Sequence, residues 1–297
     1  MKNVLVLGGS GFVGRHVCEA LNRAGISMTV VTRRLPARSV QMLPLVTVVQ
    51  ADVHDPQALA ALLPGHDAVI NLVAILHGDR NAFDKVHVHL PRQIAHACVQ
   101  AGVKRMLHVS ALGADQHGPS LYQRSKAQGE AALQSEVVHG LQLTVLRPSV
   151  IFAQDDAFMQ LFARLQSVAP VVPLAGAETR FQPVWVQDVA QAIVYALMHR
   201  ETIGRVYELA GLDIYTLKQL VEHAGAWAGH ARPVFGLPQP LAYLQALMME
   251  MMPGAPLMSR DNLASMQVDN ISQGELPGLT ELGVATPTSL QSVFPLR

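Results

Sequence analysis

Short apolar runs alternate with longer segments of helical periodicity through most of the chain. Residues 4–7 are wholly apolar, and similar runs fall at residues 27–31, 46–50, 68–74, 105–110 and 141–146. Such runs are typical of strands that are covered on both faces, as in a parallel sheet between helices. Between them, segments such as 15–23 and 85–102 have apolar residues at helical spacing. The alternation predicts an α/β fold with a Rossmann-type, doubly wound parallel sheet.

The alternation stops near residue 213, and beyond it residues 217–227 and 238–252 have helical periodicity only. We therefore predict a Rossmann domain of residues 1–152 and 181–212 and a smaller C-terminal lobe of residues 153–180 and 213–297. The second of these helices has an apolar face, which we interpret as core of the lobe. A pocket for an apolar substrate, or a docking face for a membrane-associated partner, is the alternative. The face consists of Leu241, Leu244, Leu247, Met248, Met251 and Met252.

The bend after the first strand has the spacing G-x-x-G-x-x-G, at Gly8, Gly11 and Gly14. Gly8 permits a sharp exit from the strand, Gly11 lets backbone N–H groups approach a pyrophosphate, and Gly14 lets the next helix pack close to the sheet. The phosphates would lie at the positive end of that helix. An ordinary tight turn is the alternative, but the strand before and the helix after favour a dinucleotide site. The site would also include Ser10, Phe12 and Val13.

The end of the second strand distinguishes the two nicotinamide dinucleotides. An NAD site usually has Asp or Glu there, which binds the ribose 2′-OH. This chain has Arg33 and Arg34 instead, and guanidinium groups bind a 2′-phosphate through charge-assisted hydrogen bonds. NADP(H) is therefore the preferred cofactor, with NAD(H) as the alternative if both arginines are solvated surface residues.

A second motif, Tyr122-x-x-x-Lys126, opens the helix that follows the fifth strand. Residues four apart share one helix face, so the phenol and the ammonium can face one cleft. A phenol with a pKa of about 10 needs a neighbouring cation to ionise at neutral pH. Tyr122 would exchange a proton with a carbonyl or alcohol oxygen while hydride moves to or from the cofactor. Ser110 is a candidate to polarise that oxygen.

The glycine bend, the segment His108–Ala114 and the pattern Tyr122-x-x-Ser-Lys-Ala-x-Gly-Glu resemble the extended short-chain dehydrogenase/reductase superfamily. Within it, the chain is similar to the nucleotide-binding accessory subunit of respiratory complex I and its bacterial relatives, over essentially the whole length. The resemblance implies contacts to adenine, ribose, pyrophosphate and nicotinamide from Asp52, Val53, Asn71, Val73, Ala74, Lys126 and Pro148.

Two positions depart from the superfamily's pattern. His87 replaces the usual Asn of the proton relay, and Leu112 stands where the catalytic Ser or Thr usually lies. Two hypotheses follow. One is an NADP(H)-dependent oxidoreductase or epimerase-like enzyme that acts on a small or apolar carbonyl or alcohol substrate. The other is a non-catalytic NADP(H)-binding protein that docks on, or helps to assemble, a respiratory-type complex.

Composition limits the classes of binding partner and the cellular compartment that we expect for this protein. The formal net charge is +0, so nothing indicates nucleic-acid binding. Cys18 and Cys98 stand alone in predicted helices, as reduced core cysteines do. The chain begins directly with a strand, its longest apolar run is too short to span a bilayer, and its histidines lack metal-ligand spacing. We expect a cytoplasmic protein without a metal, and peripheral membrane association as the alternative.

Overall fold

The computed structural model describes residues 1–252, 254, 256 and 258–295. Of the predicted C-terminal lobe, residues 253, 255, 257, 296 and 297 therefore lie outside the described residues. The strands are, in chain order, β1 (Asn3–Leu7), β2 (Ser27–Thr32), β3 (Val46–Gln50), β4 (Ala68–Asn71), β5 (Arg105–Val109), β6 (Gln142–Pro148), β7 (Ile151–Phe152), β8 (Val172–Leu174), β9 (Arg180–Phe181), β10 (Val184–Trp185), β11 (Val206–Leu209), β12 (Tyr215–Thr216) and β13 (Val234–Gly236).

The helices connect these strands. They are α1 (Phe12–Arg23), α2 (Arg38–Gln41), α3 (Pro56–Leu62), α4 (Arg80–Phe83), α5 (Leu90–Ala101), α6 (Leu121–Val137), α7 (Ala157–Val168), α8 (Val186–Met198), α9 (Leu217–Trp227), α10 (Gln239–Glu250), α11 (Arg260–Ser265) and α12 (Leu290–Val293). A π-helical turn, Asp84–His89, joins α4 to α5, so the segment predicted as one helix at residues 85–102 is interrupted at its start. None of the helices in the described part of the chain is long and apolar enough to cross a bilayer.

Seven strands form one sheet in the order β11-β6-β5-β4-β1-β2-β3. Every neighbouring pair in this sheet is parallel. The chain runs outward from β1 to β3 and then returns to place β4 on the other side of β1. This reversal is the topological switch point, beside which doubly wound folds bind ligands at the carboxyl ends of their strands. The predicted fold class is confirmed.

The side chains of β1 point alternately to the two faces of the sheet, and both faces are covered. Val4 and Val6 pack into the core with α1 and α8, whereas Leu5 and Leu7 pack into a second core with α3 and α5. Successive side chains of a strand point to opposite faces, and all four of these are fully buried. A polar side chain at any of these positions would have no solvent to face, so the run is apolar throughout.

A third apolar cluster lies among α7, α9, β8 and β13, outside the seven-stranded sheet. Its members come from residues 152–185, 215–234, 266 and 290–294, which include most of the segments predicted as the C-terminal lobe. The exact domain boundaries stay a prediction.

The prediction that the apolar face of α10 belongs to the core of the lobe is wrong. Only Ala242 and Ala246 of this helix are buried. Of the predicted face, Leu247 is half-buried and the other five residues are exposed. Met251, for example, is 80% exposed. The exposed apolar residues of this segment are Leu241, Tyr243, Leu244, Met248, Met251 and Met252.

Strand β4 ends at Asn71, three residues earlier than predicted. The Leu72 amide still donates to the Leu7 carbonyl oxygen of β1 at 2.9 Å. The Asn71 side chain then accepts a hydrogen bond from the Val73 amide at 3.2 Å, which turns the chain out of the sheet as Asn side chains do in turns. Val73 and Ala74 therefore lie in the loop that follows β4.

Candidate functional site

The predicted site residues lie at one edge of the sheet, where its parallel strands end. Strands β1 to β6 end at residues 7, 32, 50, 71, 109 and 148. Each candidate is in, or within a few residues of, one of these ends, except Tyr122 and Lys126, which lie in the first turns of α6. Because the sheet is parallel, these ends share one edge. The site therefore spans β3 to β6, on both sides of the switch point.

The glycine bend after β1 has the shape that a dinucleotide requires. Gly8 has a φ of +84°, and the Gly11 amide donates back to the Gly8 carbonyl oxygen at 3.1 Å. A Cβ built on Gly14 would lie 2.6 Å from the Gly9 Cα, and closer still to the Gly8 carbonyl oxygen. The first turn of α1 thus packs directly on the bend, with no room for a side chain.

The N-terminus of α1 is open to an anion. Its N-cap is Gly11, and no side chain in the described chain caps the helix. The first amides of a helix lack partners within it and form the positive end of the helix dipole. Ser10 and Gly11 are exposed beside them, and Phe12 and Val13 are partly buried. A pyrophosphate fits this end of the helix.

The two arginines after β2 face solvent. Arg33 and Arg34 are both exposed, while their backbone carbonyl groups accept hydrogen bonds from Gln50 and Thr32. Asp52 is also exposed, and its carboxylate accepts from the His54 amide at 3.0 Å. Val53 is buried in the core beneath this loop.

Asn71 is fully buried and bonded at both ends of its amide. Its Nδ2 donates to His108 Nδ1 at 3.1 Å across the β4–β5 pair, while its Oδ1 accepts from Val73. Burial lowers the pKa of His108 well below its ordinary value, and the charge of Lys126 lowers it further. Asn71 therefore shapes the loop after β4 together with a neutral histidine.

Lys126 binds the backbone at the end of β5, one residue before Ser110. Lys126 is 2% exposed, and its Nζ donates to the Val109 carbonyl oxygen at 3.0 Å. Burial lowers the pKa of Lys126 to about 8, against an opposing effect of Glu130. The adjacent Ser110 hydroxyl is buried and has no hydrogen-bond partner among the described residues. Buried polar groups usually have a hydrogen-bond partner, so Ser110 stays a candidate to contact a ligand atom.

Tyr122 lies one helical turn before Lys126 and is partly buried. Its ring packs edge-on against those of Phe83 and His87, with centroid distances of 6.2 and 5.5 Å. Burial raises the pKa of Tyr122 to about 12. The phenol is therefore harder to ionise than that of an ordinary tyrosine, and both are protonated at neutral pH.

His87, which replaces the superfamily's usual Asn, is buried and forms hydrogen bonds to two different segments. Its Nε2 accepts from the Ile75 amide at 3.1 Å, so the ring proton must be on Nδ1, which lies 2.9 Å from the Ser125 hydroxyl. Ser125 in turn donates to the Tyr122 carbonyl oxygen at 2.9 Å. Burial, reinforced by the charge of Lys126, lowers the pKa of His87 to about 3. A neutral His87 therefore ties the loop after β4 to α6.

Leu112, which stands where the superfamily's catalytic Ser or Thr usually lies, is buried. It is 5% exposed, and its amide donates to the Pro148 carbonyl oxygen at 2.8 Å. Pro148 is itself buried at the end of β6. Ser110, directly after the residue whose carbonyl oxygen Lys126 binds, stays the candidate hydroxyl.

Sequence reasoning missed two residues that hold the site from the C-terminal part of the chain. Asp261 accepts hydrogen bonds from the Leu121 and Tyr122 amides, at 2.6 and 3.1 Å. Asn270 donates to the Leu112 carbonyl oxygen at 3.1 Å and accepts from the Ser149 hydroxyl at 2.7 Å. Both lie more than 115 residues from their partners along the chain, and no local pattern in the sequence points to them.

A pocket of about 450 Å³, open to solvent, lies at the surface, and none of the candidate site residues is among its described lining residues. It is bounded by the loop after β5, by one face of α6 and by Arg147 of β6. Arg147 binds Glu130 through two hydrogen bonds, of 3.0 and 2.6 Å, which raises the pKa of the guanidinium. This ion pair connects β6 to α6 at one side of the pocket.

Comparison with known proteins agrees with this geometry. The sequence pattern of the NAD dependent epimerase/dehydratase family matches residues 4–210. The chain belongs to that family. The matched range contains the glycine bend, the sheet and the Tyr122–Lys126 pair, so the predicted resemblance is confirmed.

Relatives in this family have different functions. The mouse mitochondrial NADH dehydrogenase (ubiquinone) 1 alpha subcomplex subunit 9 is 32% identical over 98% of this chain and 79% of its own length. A ceramide reductase of Caulobacter vibrioides is 29% identical over 80% of this chain and 74% of its own length. A dTDP-glucose 4,6-dehydratase of Streptomyces venezuelae, whose structure was solved with NAD, has the same fold, with a TM-score of 0.70. It is 21% identical in sequence, and the match covers 80% of this chain and 85% of the dehydratase chain.

Proposed function

We propose that this chain is an NADP(H)-dependent reductase of the epimerase/dehydratase family that acts on an apolar carbonyl substrate. The observation that carries the proposal is the arrangement at the end of β5. There the buried Lys126 donates to the Val109 carbonyl oxygen, and Ser110, the residue after Val109, has a buried hydroxyl with no hydrogen-bond partner among the described residues. Tyr122 lies one helical turn before Lys126 on α6.

The preference for NADP(H) is supported by the residues after β2. Arg33 and Arg34 are exposed, and the segment from Val31 to Leu35 has no acidic residue that would bind a ribose 2′-OH. A 2′-phosphate would accept charge-assisted hydrogen bonds from these guanidinium groups. The pyrophosphate would lie against the open N-terminus of α1.

The protonation state of Tyr122 is compatible with a reduction. When bound, NADPH supplies the hydride. A phenol with a pKa of about 12 is a proton donor at neutral pH, so Tyr122 would protonate the carbonyl oxygen as the carbon is reduced. The ammonium of Lys126 would stabilise the phenolate that remains. The Ser110 hydroxyl would donate a hydrogen bond to the same substrate oxygen.

An apolar substrate is supported by the relatives and by the surface. One relative is named a ceramide reductase. In this chain, the exposed apolar residues of α10 are followed by α11, which contacts the first turn of α6 through Asp261. The exposed apolar residues of α10 and the contact to the first turn of α6 thus belong to one stretch of the chain.

The test is NADPH oxidation by the purified protein with aliphatic carbonyl compounds of increasing chain length, from acetaldehyde to long-chain ketones. We expect turnover that rises with chain length and that Tyr122→Phe abolishes, while NADPH binding by calorimetry is unchanged. Nucleotide binding without turnover on any of these compounds would reject the reductase assignment. No uptake of NADPH or NADH would reject the dinucleotide site.

The second candidate is a non-catalytic, NADP(H)-binding accessory protein of a membrane-associated complex. It is favoured by Leu112, which removes the usual catalytic hydroxyl, and by the exposed face of α10. The mouse relative is named as a subunit of NADH dehydrogenase (ubiquinone). For this function, Tyr122→Phe should leave assembly of the complex unchanged, whereas loss of nucleotide binding should impair it.

A further inference from the structure

The first turn of α6, which contains Tyr122, is capped by two separate parts of the chain. Ser120 is the local N-cap, and its hydroxyl accepts from the Gln123 amide at 3.0 Å. Gln123 reaches back to the Ser120 amide at 3.3 Å, which completes a capping box. The amides of Leu121 and Tyr122 remain, because a helix offers its first amides no internal partner.

Asp261 supplies the missing acceptors from the far end of the chain. Its Oδ1 accepts from Leu121 at 2.6 Å and its Oδ2 accepts from Tyr122 at 3.1 Å. One carboxylate therefore binds two consecutive amides at the positive end of the helix, where a negative charge is also favoured by the helix dipole. With the capping box, this closes the N-terminus of α6, in contrast to the open N-terminus of α1.

The Asp261 carboxylate is itself held in place. It belongs to α11, whose N-cap Ser259 forms a capping box with Asn262 at 3.1 and 3.0 Å. Its neighbour Arg260 binds Glu250 of α10 through both the backbone amide and the guanidinium, each at 2.7 Å. The position of the carboxylate is thus determined by the C-terminal segment and not by α6.

We propose that Asp261 is a positioning residue that sets the location of Tyr122. The bond is made to the backbone amide of Tyr122 itself, so a shift of the first turn moves the phenol with it. A displacement of about 1 Å in a reacting group can cost about 100-fold in rate. The importance of this placement for catalysis rests on the proposed function, whereas the placement itself rests on the hydrogen bond between Asp261 and the Tyr122 amide.

The experiment compares three variants. Asp261→Ala removes both acceptors, and Asp261→Asn keeps one carbonyl oxygen. Thr216→Ala is the matched control, because Thr216 forms an equivalent capping box with Gln219 on α9, at 3.1 and 2.8 Å, away from Tyr122. The control should lower stability to a similar extent without affecting the site.

The first measurements need no substrate. Hydrogen exchange of the Leu121 and Tyr122 amides should be at least about tenfold faster in Asp261→Ala, intermediate in Asp261→Asn and unchanged in Thr216→Ala. The ring signal of Tyr122 in protein labelled with ¹³C-tyrosine, assigned with Tyr122→Phe, should shift in the same order. A Tyr122 signal that is unaltered in Asp261→Ala would overturn the proposal.

Activity then separates this proposal from the proposed function. In the NADPH oxidation assay with long-chain carbonyl compounds, we expect Asp261→Ala to lower kcat at least about tenfold and Asp261→Asn to restore part of it. The dissociation constant for NADPH should not change. A wild-type protein without turnover would reject the reductase function, yet the exchange and ring measurements would still decide whether Asp261 positions Tyr122.

Discussion

Replacement of Gly14 by alanine tests the contact on which the dinucleotide site depends. The new methyl group would lie 2.6 Å from the Gly9 Cα and 2.7 Å from the Gly9 carbonyl carbon. Ordinary contacts between carbon atoms are about 3.5–4.0 Å, so the first turn of α1 must move about 1 Å from the bend. Because the neighbours are backbone atoms, no side chain can rotate to make room.

Two opposing effects set the size of the change. Alanine favours a helix over glycine by about 1 kcal/mol, whereas overpacking at a buried position costs about 1–3 kcal/mol. The backbone clash puts Gly14→Ala at the upper end of that range, so we expect a net loss of about 1–2 kcal/mol in the free energy of unfolding. The displaced helix N-terminus should also weaken NADPH binding at least about tenfold, or 1.4 kcal/mol.

Urea denaturation and titration calorimetry measure the two effects, with Gly11→Ala as the control. A Cβ on Gly11 lies 3.2 Å from the Gly8 carbonyl oxygen, its single close contact. Gly11→Ala should therefore unfold nearly as the wild type does, yet lose NADPH affinity because its methyl group lies where the phosphates approach. Equal unfolding midpoints and equal NADPH affinities for wild type and Gly14→Ala would refute the reasoning.

Three further predictions concern charge, pH and exposure. Alanine at Arg33 or Arg34 should weaken NADPH binding about tenfold or more in calorimetry and leave NADH binding unchanged, because a charge-assisted bond to the 2′-phosphate contributes about 1.5–3 kcal/mol; equal losses for both nucleotides would contradict this. The pKa of His87 is lowered by burial to about 3 from about 6.5 when unfolded, so the unfolded state binds more protons between these values and stability falls as pH drops from 6.5 to 3. His87→Phe should be less stable at pH 7 but show a flatter acid slope in urea titrations at each pH, and an unchanged slope would count against a buried neutral imidazole. Lysine at Leu244 or Met248 should change the free energy of unfolding by no more than about 0.5 kcal/mol, because both side chains are exposed; a loss above about 2 kcal/mol would show that they are core residues.

The sheet was predictable because its determinants are local. A run such as residues 4–7 is apolar at every position, and only a strand covered on both faces requires that. The glycine bend was equally predictable, because the positive φ of Gly8 and the close contact of Gly14 with Gly8 and Gly9 involve residues only a few positions apart. The end of β4 was placed too late because Leu72, Val73 and Ala74, which follow Asn71, are apolar enough to continue a strand. The hydrogen bond from Val73 to the Asn71 side chain, which ends it, is not visible as a pattern.

Helix α10 shows that hydrophobic periodicity alone does not predict which side of a helix is buried. Its sequence predicts an apolar stripe, and apolar stripes usually face the core. Periodicity gives the spacing of side chains around a helix, but it does not say which of two apolar sectors the neighbours cover. Here the neighbours contact Ala242 and Ala246, so Leu244 and Met248 face outward.

The sequence by itself determined the alternation of strands and helices through β6, the glycine bend and the spacing of Tyr122 and Lys126, because each depends on neighbours within one or two turns of chain. Tertiary structure decided the protonation and placement of those residues. The pKa values of Lys126 and Tyr122 follow from burial, which exists only once the chain has folded. The amide of Tyr122 is held by a carboxylate 139 positions away, and contacts over that separation leave no periodic trace in the sequence.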